Sequence, residues 1–466
     1  MARRHLRNGT TSTPRGECAT RRTVLGGAAR LAAGGAGALA TACSLPGSAG
    51  APPAPAGALT PATVRFMSRG SQQSVENFQA LAAQFTAQHP QLKIEIENVT
   101  GPIEQVNEKF QAHFIAGTAA DVLFIAGRTF RTFAAQKQLL DLEPLARRDI
   151  RKQDYYDFAL DSLRYNDRLF AFPYDPGVYV VFYNQDLFDK AGLQYPDGTW
   201  DWKRYVEVAQ RLTVDQSGRR AMESGFDPRR VAQYGSSSPD FVWFMVVYSF
   251  GGEVLAADHK KVRLAEPAAV EGLQFIADLR NKVHVAPSPA YPQAQPIGWA
   301  TGNLGMNMAG GWTVGGQRRQ AQQAGFRFDV TSVPRGTQRV TAGWGSGAAI
   351  WAQTKVVEPA WAWVRFLGGE QGQRAVMQLG NCAPPAVRKL AESDEFLNDT
   401  PPQNKRVFLD ETRNSRPWPH IYIADSIEFE RRYDEAMAPV YKGERSARDA
   451  MAEVAPRLNE VLAGSP

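Results

Sequence analysis

Cysteine is scarce in this chain: Cys18, Cys43 and Cys382 are the three among 466 residues. No disulfide framework can be built on them, so a stable fold has to come from the core. Histidine is almost as sparse, six in all and none at i, i+4 spacing with another, which speaks against a metal site, and no cofactor is called for. The signatures of catalysis are missing as well, since there is no G-x-S-x-G elbow, H-E-x-x-H, C-x-x-C or Walker loop. Acidic residues are plentiful, but in such a chain some carboxylate pair arises by chance and carries no weight for a glycosidase. Charge of one sign is also lacking once the first residues are set aside. Residues 1–42 hold seven Arg and one Glu, and the rest of the chain carries 46 basic and 46 acidic residues. The basic balance therefore belongs to the leader and gives no argument for a nucleic-acid partner.

What is present at the start reads as an export signal. Arg21 and Arg22 precede an uncharged run of small and apolar residues broken by Arg30, the order of a leader peptide. The pair resembles a twin-arginine signal, with Val24 where that pattern usually has Phe. "ALATAC", ending at Cys43, resembles a lipobox, with Ala40 where Leu is commoner; the thiol of Cys43 would then take a diacylglycerol and become the mature N-terminus. The other reading, a transmembrane anchor over Thr23 to Ala42, is disfavoured because that run is barely long enough and rich in Gly and Ala. Residues 43–60 are a Pro/Gly/Ala tether without a core-forming pattern. Beyond them no run is long and apolar enough to span a bilayer, so a soluble body is expected.

That body is long enough for two lobes. "TVRFMS" (Thr63 to Ser68) reads as a buried strand, Phe78, Leu81, Ala82 and Phe85 fall at helical spacing, "LKIEIENV" alternates, and "DVLFIAG" (Asp121 to Gly127) suits a central parallel strand. This alternation implies an α/β domain with right-handed crossovers, whose ligands bind beyond the carboxyl ends of the strands. The loops there are "SRGSQQS" (Ser68 to Ser74) and "AGRTF" (Ala126 to Phe130).

From Phe172 the chain runs "FPYDPGVYVVFYNQDLFDKAGLQYPDGTWDWKRYVEVAQRLT". It reads as a β-branched and aromatic strand, a short helix stopped at Gly192, and a helix capped by Thr199 with Asp201 in its first turn. This segment resembles the signature of the family 1 extracellular solute-binding proteins, the group that contains maltose-binding protein. "GNLGMNMAGGWTVG", "TAGWGSGAAIWAQT", "EPAWAWVRFLGGEQGQRAVMQLGNCAPP" and "RPWPHIY" follow in the order that family has them. The resemblance implies an α/β, two-lobed periplasmic-binding-protein-like fold (type II, Venus flytrap) with crossover hinge strands. Its N-terminal lobe would comprise 61–174 with 340–384 and its C-terminal lobe 175–339 with 385–466. The crossings are expected near Pro173 to Pro176, Pro334 to Ala342 and Asn381 to Pro385.

A sugar cleft needs aromatic planes for stacking and planar polar groups for hydrogen bonding. Four tryptophans in predicted loops are candidates: Trp243 after "GSSSPDF", Trp312 after two glycines, Trp344 between glycines and Trp418 between prolines. Glycine beside an indole lets a ligand approach the backbone. The polar candidates are Ser71, Arg128, Tyr174 and Asp175, each of which has an ordinary surface or hinge-bracing reading beside the functional one. The family resemblance implies a monomeric, non-enzymatic binding lipoprotein at the outer face of the cell membrane. It would capture a sugar, polyol or glycerophosphate-type ligand and deliver it to the permease subunits of an ABC importer. The alternatives are an exported glycan-active enzyme, and a sensory or adhesion lipoprotein that hands its ligand to no transporter.

Overall fold

The computed structural model describes residues 59–101, 103–126, 130–343, 345–380 and 383–464. Arg21, Arg22, Cys43 and the tether as far as residue 58 lie outside the described residues, as do Arg128, Trp344, Asn381 and Cys382.

The first lobe is built on a five-stranded sheet. β1 (Ala62–Arg69), β2 (Leu92–Val99) and β3 (Val122–Ala126) are parallel, with β1 in the middle. The four residues read as a helical stripe, Phe78, Leu81, Ala82 and Phe85, are the buried face of α1 (Gln72–Gln88). A later strand returns antiparallel beside β3 and is followed in the sheet by β4 (Ala171–Asp175), the last in the order.

The second lobe has its own five-stranded sheet. β5 (Tyr179–Asn184) lies between β9 (Phe328–Thr331) and β8 (Leu304–Gly310), antiparallel to both, and β7 (Val231–Ser236) runs parallel to β8, with the short β6 (Val214–Asp215) at the edge. β10 (Ser346–Ile350) is the strand that carries the chain back into the first sheet. Every residue of β3, β4, β5 and β10 is buried, which for β3 is why the segment reads as a continuous apolar run rather than an alternating one.

One core draws on Val64 to Tyr174 and Ala348 to Ala391; a second draws on Tyr179 to Ala342 and Trp418 to Val461. In the first, Trp361 and Trp363 are fully buried on the helix Val357–Gly368. Trp363 meets Phe66 and Phe85 edge-on, and Trp361 does the same with Phe172 while its indole N–H donates to Asp149. Burying aromatic area on this scale contributes several kcal/mol per ring and replaces the missing disulfides.

The chain passes between the sheets at three-residue length from β4 to β5. Gly177 adopts φ +44° there, a conformation that side chains disfavour. The return passes through Thr341–Gly343, which pairs with Ser415–Pro417 and touches Val178 through Gly343, so two crossing segments lie side by side. One local expectation needs correction. The helix Trp202–Leu212 is capped by Asp201, whose carboxylate accepts from the Arg204 N–H at 2.8 Å. Thr199 is not the cap because its hydroxyl is taken by Asp197 at 2.8 Å. No helix of the described residues is long and apolar enough to cross a membrane.

Candidate functional site

Strand register brings the polar residues together. In the first sheet Ser346 is paired with both Ala126 and Asp175, so the ends of β3 and β4 and the start of β10 share one edge, beside Arg69 at the end of β1. In the second sheet Tyr179 is paired with Gly310, placing the start of β5 beside the end of β8. These two edges face one cavity of about 540 Å³, lined by Arg69, Tyr174, Asp175 and Ser346 from one lobe and by Tyr179, Met308 and Gly310 from the other.

Each lobe supplies three aromatic rings to this cavity. From the first come Phe78, Phe124 and Tyr174, with Tyr174 edge-on to Phe124 at 5.2 Å and Phe78 at 5.3 Å from Phe124. Tyr174 is fixed from behind, since its carbonyl accepts from the buried Gln373 at 3.0 Å and Gln373 in turn accepts from the Val387 N–H. From the second lobe come Tyr179, Phe241 and Trp312. Trp312 is half-buried and edge-on to Tyr179 at 5.2 Å. Its indole lies over Gly310, where any Cβ would run into the ring, so the glycine is what makes room for it. Phe241 is 53% exposed on the cavity wall. Its loop is clamped by the largely buried Arg280, which donates to Ser238 and forms an ion pair with Asp240, both at 2.8 Å.

Among the described residues Asp175 is the one carboxylate on the cavity wall, and it is 5% exposed. Burial pushes its pKa up to about 7, against the opposing pull of Arg69 and of hydrogen bonds from Ser346 and the Gly177 N–H. Among the described residues its Oδ1 has no hydrogen-bond partner, so part of the carboxylate's acceptor capacity is unused.

Of the sequence-predicted residues, the structure brings Tyr174, Asp175 and Trp312 to this cavity. Ser71 stands at its outer neighbour, where it caps α1 and accepts from the Ser74 N–H. Trp243 and Trp418 are placed in the packed interior: Trp243 stacks on Tyr433 at 4.0 Å, and Trp418, wholly buried, packs against Phe244 and behind Phe241. Neither lines the cavity, because residues far along the chain cover their faces. Arg128 and Trp344 lie outside the described residues.

A family model described as bacterial extracellular solute-binding protein matches residues 70–374, about two thirds of the chain. The chain belongs to that family. Among curated relatives of this solute-binding protein, a putative binding protein of Brucella abortus is 22% identical over 69% of this chain and 75% of its own length. Solved structures share the fold. A Listeria monocytogenes ABC substrate-binding protein in complex with cycloalternan superposes with TM-score 0.75 at 21% identity, over 86% of this chain and 99% of that one. UgpB of Mycobacterium tuberculosis in complex with glycerophosphocholine gives 0.72, also at 21% identity, over 86% and 98%.

The residues that sequence reasoning missed are Phe78, Phe124, Tyr179, Phe241 and Arg69. Phe78 reads as part of the helical stripe, although a ring at the first turns of α1 can serve core and cavity at once. The "PDF" turn before Trp243 carries the signal for Phe241, two positions before that indole.

A second set of contacts ties the lobes of the solute-binding protein together. Arg131, on α2 (Phe130–Ala135), lies between the rings of Tyr165 in its own lobe and Tyr422 in the other, 5.4 and 5.5 Å from their centroids. Tyr422 in turn stacks on His259 at 3.7 Å, and the Thr132 hydroxyl donates to the Ala424 carbonyl at 3.2 Å. Burial and the nearby Arg131 lower the His259 pKa, which favours the neutral imidazole in the stack. Arg131→Ala is expected to remove about 1–2 kcal/mol of attraction between the lobes. The radius of gyration from small-angle scattering should rise in the ligand-free protein; an unchanged radius would show that the ladder does not hold the lobes.

Proposed function

We propose that this protein captures a sugar or sugar derivative between its lobes and presents it to the permease of an ABC importer, without chemistry of its own. The observation that carries the reading is the pair of aromatic triads, one from each lobe, around a buried carboxylate acceptor. Rings on both sides suit the C–H faces of a pyranose or furanose, and Asp175 with Ser346, Ser74, Asn77 and Arg69 suits its hydroxyl edges. The ligands named for relatives include cycloalternan for the Listeria protein and arabinooligosaccharide for a Bacillus subtilis protein 23% identical over 213 residues, beside glycerophosphocholine for UgpB. Because both lobes contact one cavity, a ligand that touches both favours their closure.

The test is a thermal-shift screen of the purified protein against mono- and oligosaccharides, polyols, glycerophosphodiesters, amino acids and peptides. Binding at a hundred times the dissociation constant adds ~2.7 kcal/mol to stability, a rise of several degrees in Tm. A rise with saccharides, with the sugar recovered intact, supports the reading. A shift with glycerophosphodiesters alone would replace it, and consumption of the sugar would point to an enzyme.

The reading extends to the N-terminus. A lipid on Cys43 and a tether through residue 60 would hold the receptor, as a monomer, beside its permease at the outer face of the membrane. Cys43→Ser is expected to move the protein from the membrane fraction to the soluble one while leaving its sugar affinity unchanged. Retention of the variant at the membrane would refute the lipid anchor.

A further inference from the structure

Trp312 belongs to the second lobe, yet the turn that carries it (Gly311–Thr313) is backed by the first. A Cβ on Gly311 would come within 3.0 Å of the Pro384 ring, and one on Gly315, in the first turn of α3 (Val314–Ala324), within 2.9 Å of the Gly380 carbonyl. Gly380 and Pro384 lie between Val376 and Ala386, both members of the first lobe's core. Glycine at 311 and 315 is what lets that chain close on the indole's turn from two sides. Beside them Gly316 faces open space, so the close approach is confined to one face of α3. Trp312 itself lines both the main cavity and its outer neighbour of about 360 Å³, and a displacement of its turn would alter both.

The backing segment is fastened by one side chain. Gln373, on α4 (Glu370–Gln378), is 1% exposed. Its amide nitrogen donates to the Tyr174 and Gly368 carbonyls, both at 3.0 Å, and its Oε1 accepts from the Val387 N–H at 3.1 Å. It thus ties together the end of β4, the end of the helix before α4 and the chain just beyond Pro384. Pro384 and Pro385 stiffen that last stretch by fixing φ. An amide engaged on both its donor and acceptor sides in a dry interior holds its partners firmly, since its removal leaves them unpaired.

We infer that Gln373 is a positioning residue for rings in both lobes: it holds Tyr174 directly, through that residue's carbonyl, and Trp312 through Gly380 and Pro384. Facing walls of the cavity are then set against each other by the first lobe, rather than each lobe setting its own. The inference rests on the proposed function only in taking these rings as walls for the ligand.

The experiment is fluorine NMR of the full chain, without added ligand, carrying 5-fluorotryptophan at its tryptophans; the Trp312 resonance is assigned by its loss in Trp312→Phe. Gln373→Met keeps the length of the side chain and removes its amide. It is expected to shift or broaden the Trp312 resonance and to leave those of Trp243 and Trp299, in the second lobe's interior, in place. Gly315→Ala should move the same resonance because its methyl meets the Gly380 carbonyl, whereas Gly316→Ala, with the same gain in helix propensity and no such contact, should not. In a folded Gln373→Met sample an unmoved Trp312 resonance overturns the inference, and so does equal movement of Trp243 and Trp299, which would show a general loosening. If Gln373→Met does not fold, the two glycine variants decide alone, and identical Trp312 resonances in them overturn it. No sugar is added, so each outcome stands whether or not the ligand proves to be a saccharide.

Discussion

Trp312→Ala is expected to lower saccharide affinity by about 30- to 300-fold, equivalent to ~2–3 kcal/mol, with only a small change in Tm. The indole stands at the mouth between the two cavities and contacts both chambers, so its removal takes away a stacking plane and the partition that orients the ligand. Stability changes little because the ring is half-buried and rests on a glycine that needs no cover. Trp243→Ala is the informative contrast. That ring is 3% exposed and stacked on Tyr433, so its loss opens a core cavity and should cost about 3–5 kcal/mol of stability. Calorimetric titration and thermal denaturation of both variants separate the two roles. Comparable affinity losses from folded samples of each would mean that the division between cleft wall and core drawn here is wrong.

The contrast between these indoles shows where sequence reading stops. The strands and the first helix were legible because their signals are local: the stripe through Phe78 and Phe85 has helical period, and the β4-to-β5 passage is marked by prolines and Gly177. The two-lobed architecture was implied by the family resemblance that the later segments carry. Trp312 stood out for a local reason too, since Gly310 and Gly311 precede it. Trp418, between prolines, looked equally open, yet Phe244 closes its face and Phe241 stands before it. That covering is made by residues about 175 positions away, which no window along the chain displays. The same holds for Tyr179 and Phe124: each reads as one more apolar residue in a buried strand, and only the meeting of two sheet edges turns the strand ends into a wall.

Asp175→Asn should separate what this carboxylate does for binding from what it costs the fold. In the folded protein burial raises its pKa to about 7, from the ordinary 3.8. A group whose folded pKa lies above its unfolded value contributes its full stability below the unfolded pKa and loses it as pH rises through the folded one. Below about pH 4 the acid is therefore neutral in both states and asparagine changes little. Between pH 4 and 7 the wild type loses stability progressively, and above pH 7 the cost of keeping the buried charge is on the order of 4 kcal/mol. Asparagine does not titrate, so the variant is expected to melt higher than the wild type at pH 8, with the difference vanishing toward pH 4. Saccharide affinity should move the other way at pH 8, falling about 10- to 100-fold, because an ionised acceptor that engages hydroxyls is replaced by a neutral amide. Thermal melts across pH 4 to 8, with calorimetric titrations at pH 8, measure both. A variant less stable than the wild type at pH 8 would mean that Arg69, Ser346 and the Gly177 N–H already compensate the charge without a ligand. Asp175 would then brace the crossing between the lobes, and binding would have to be carried by the rings.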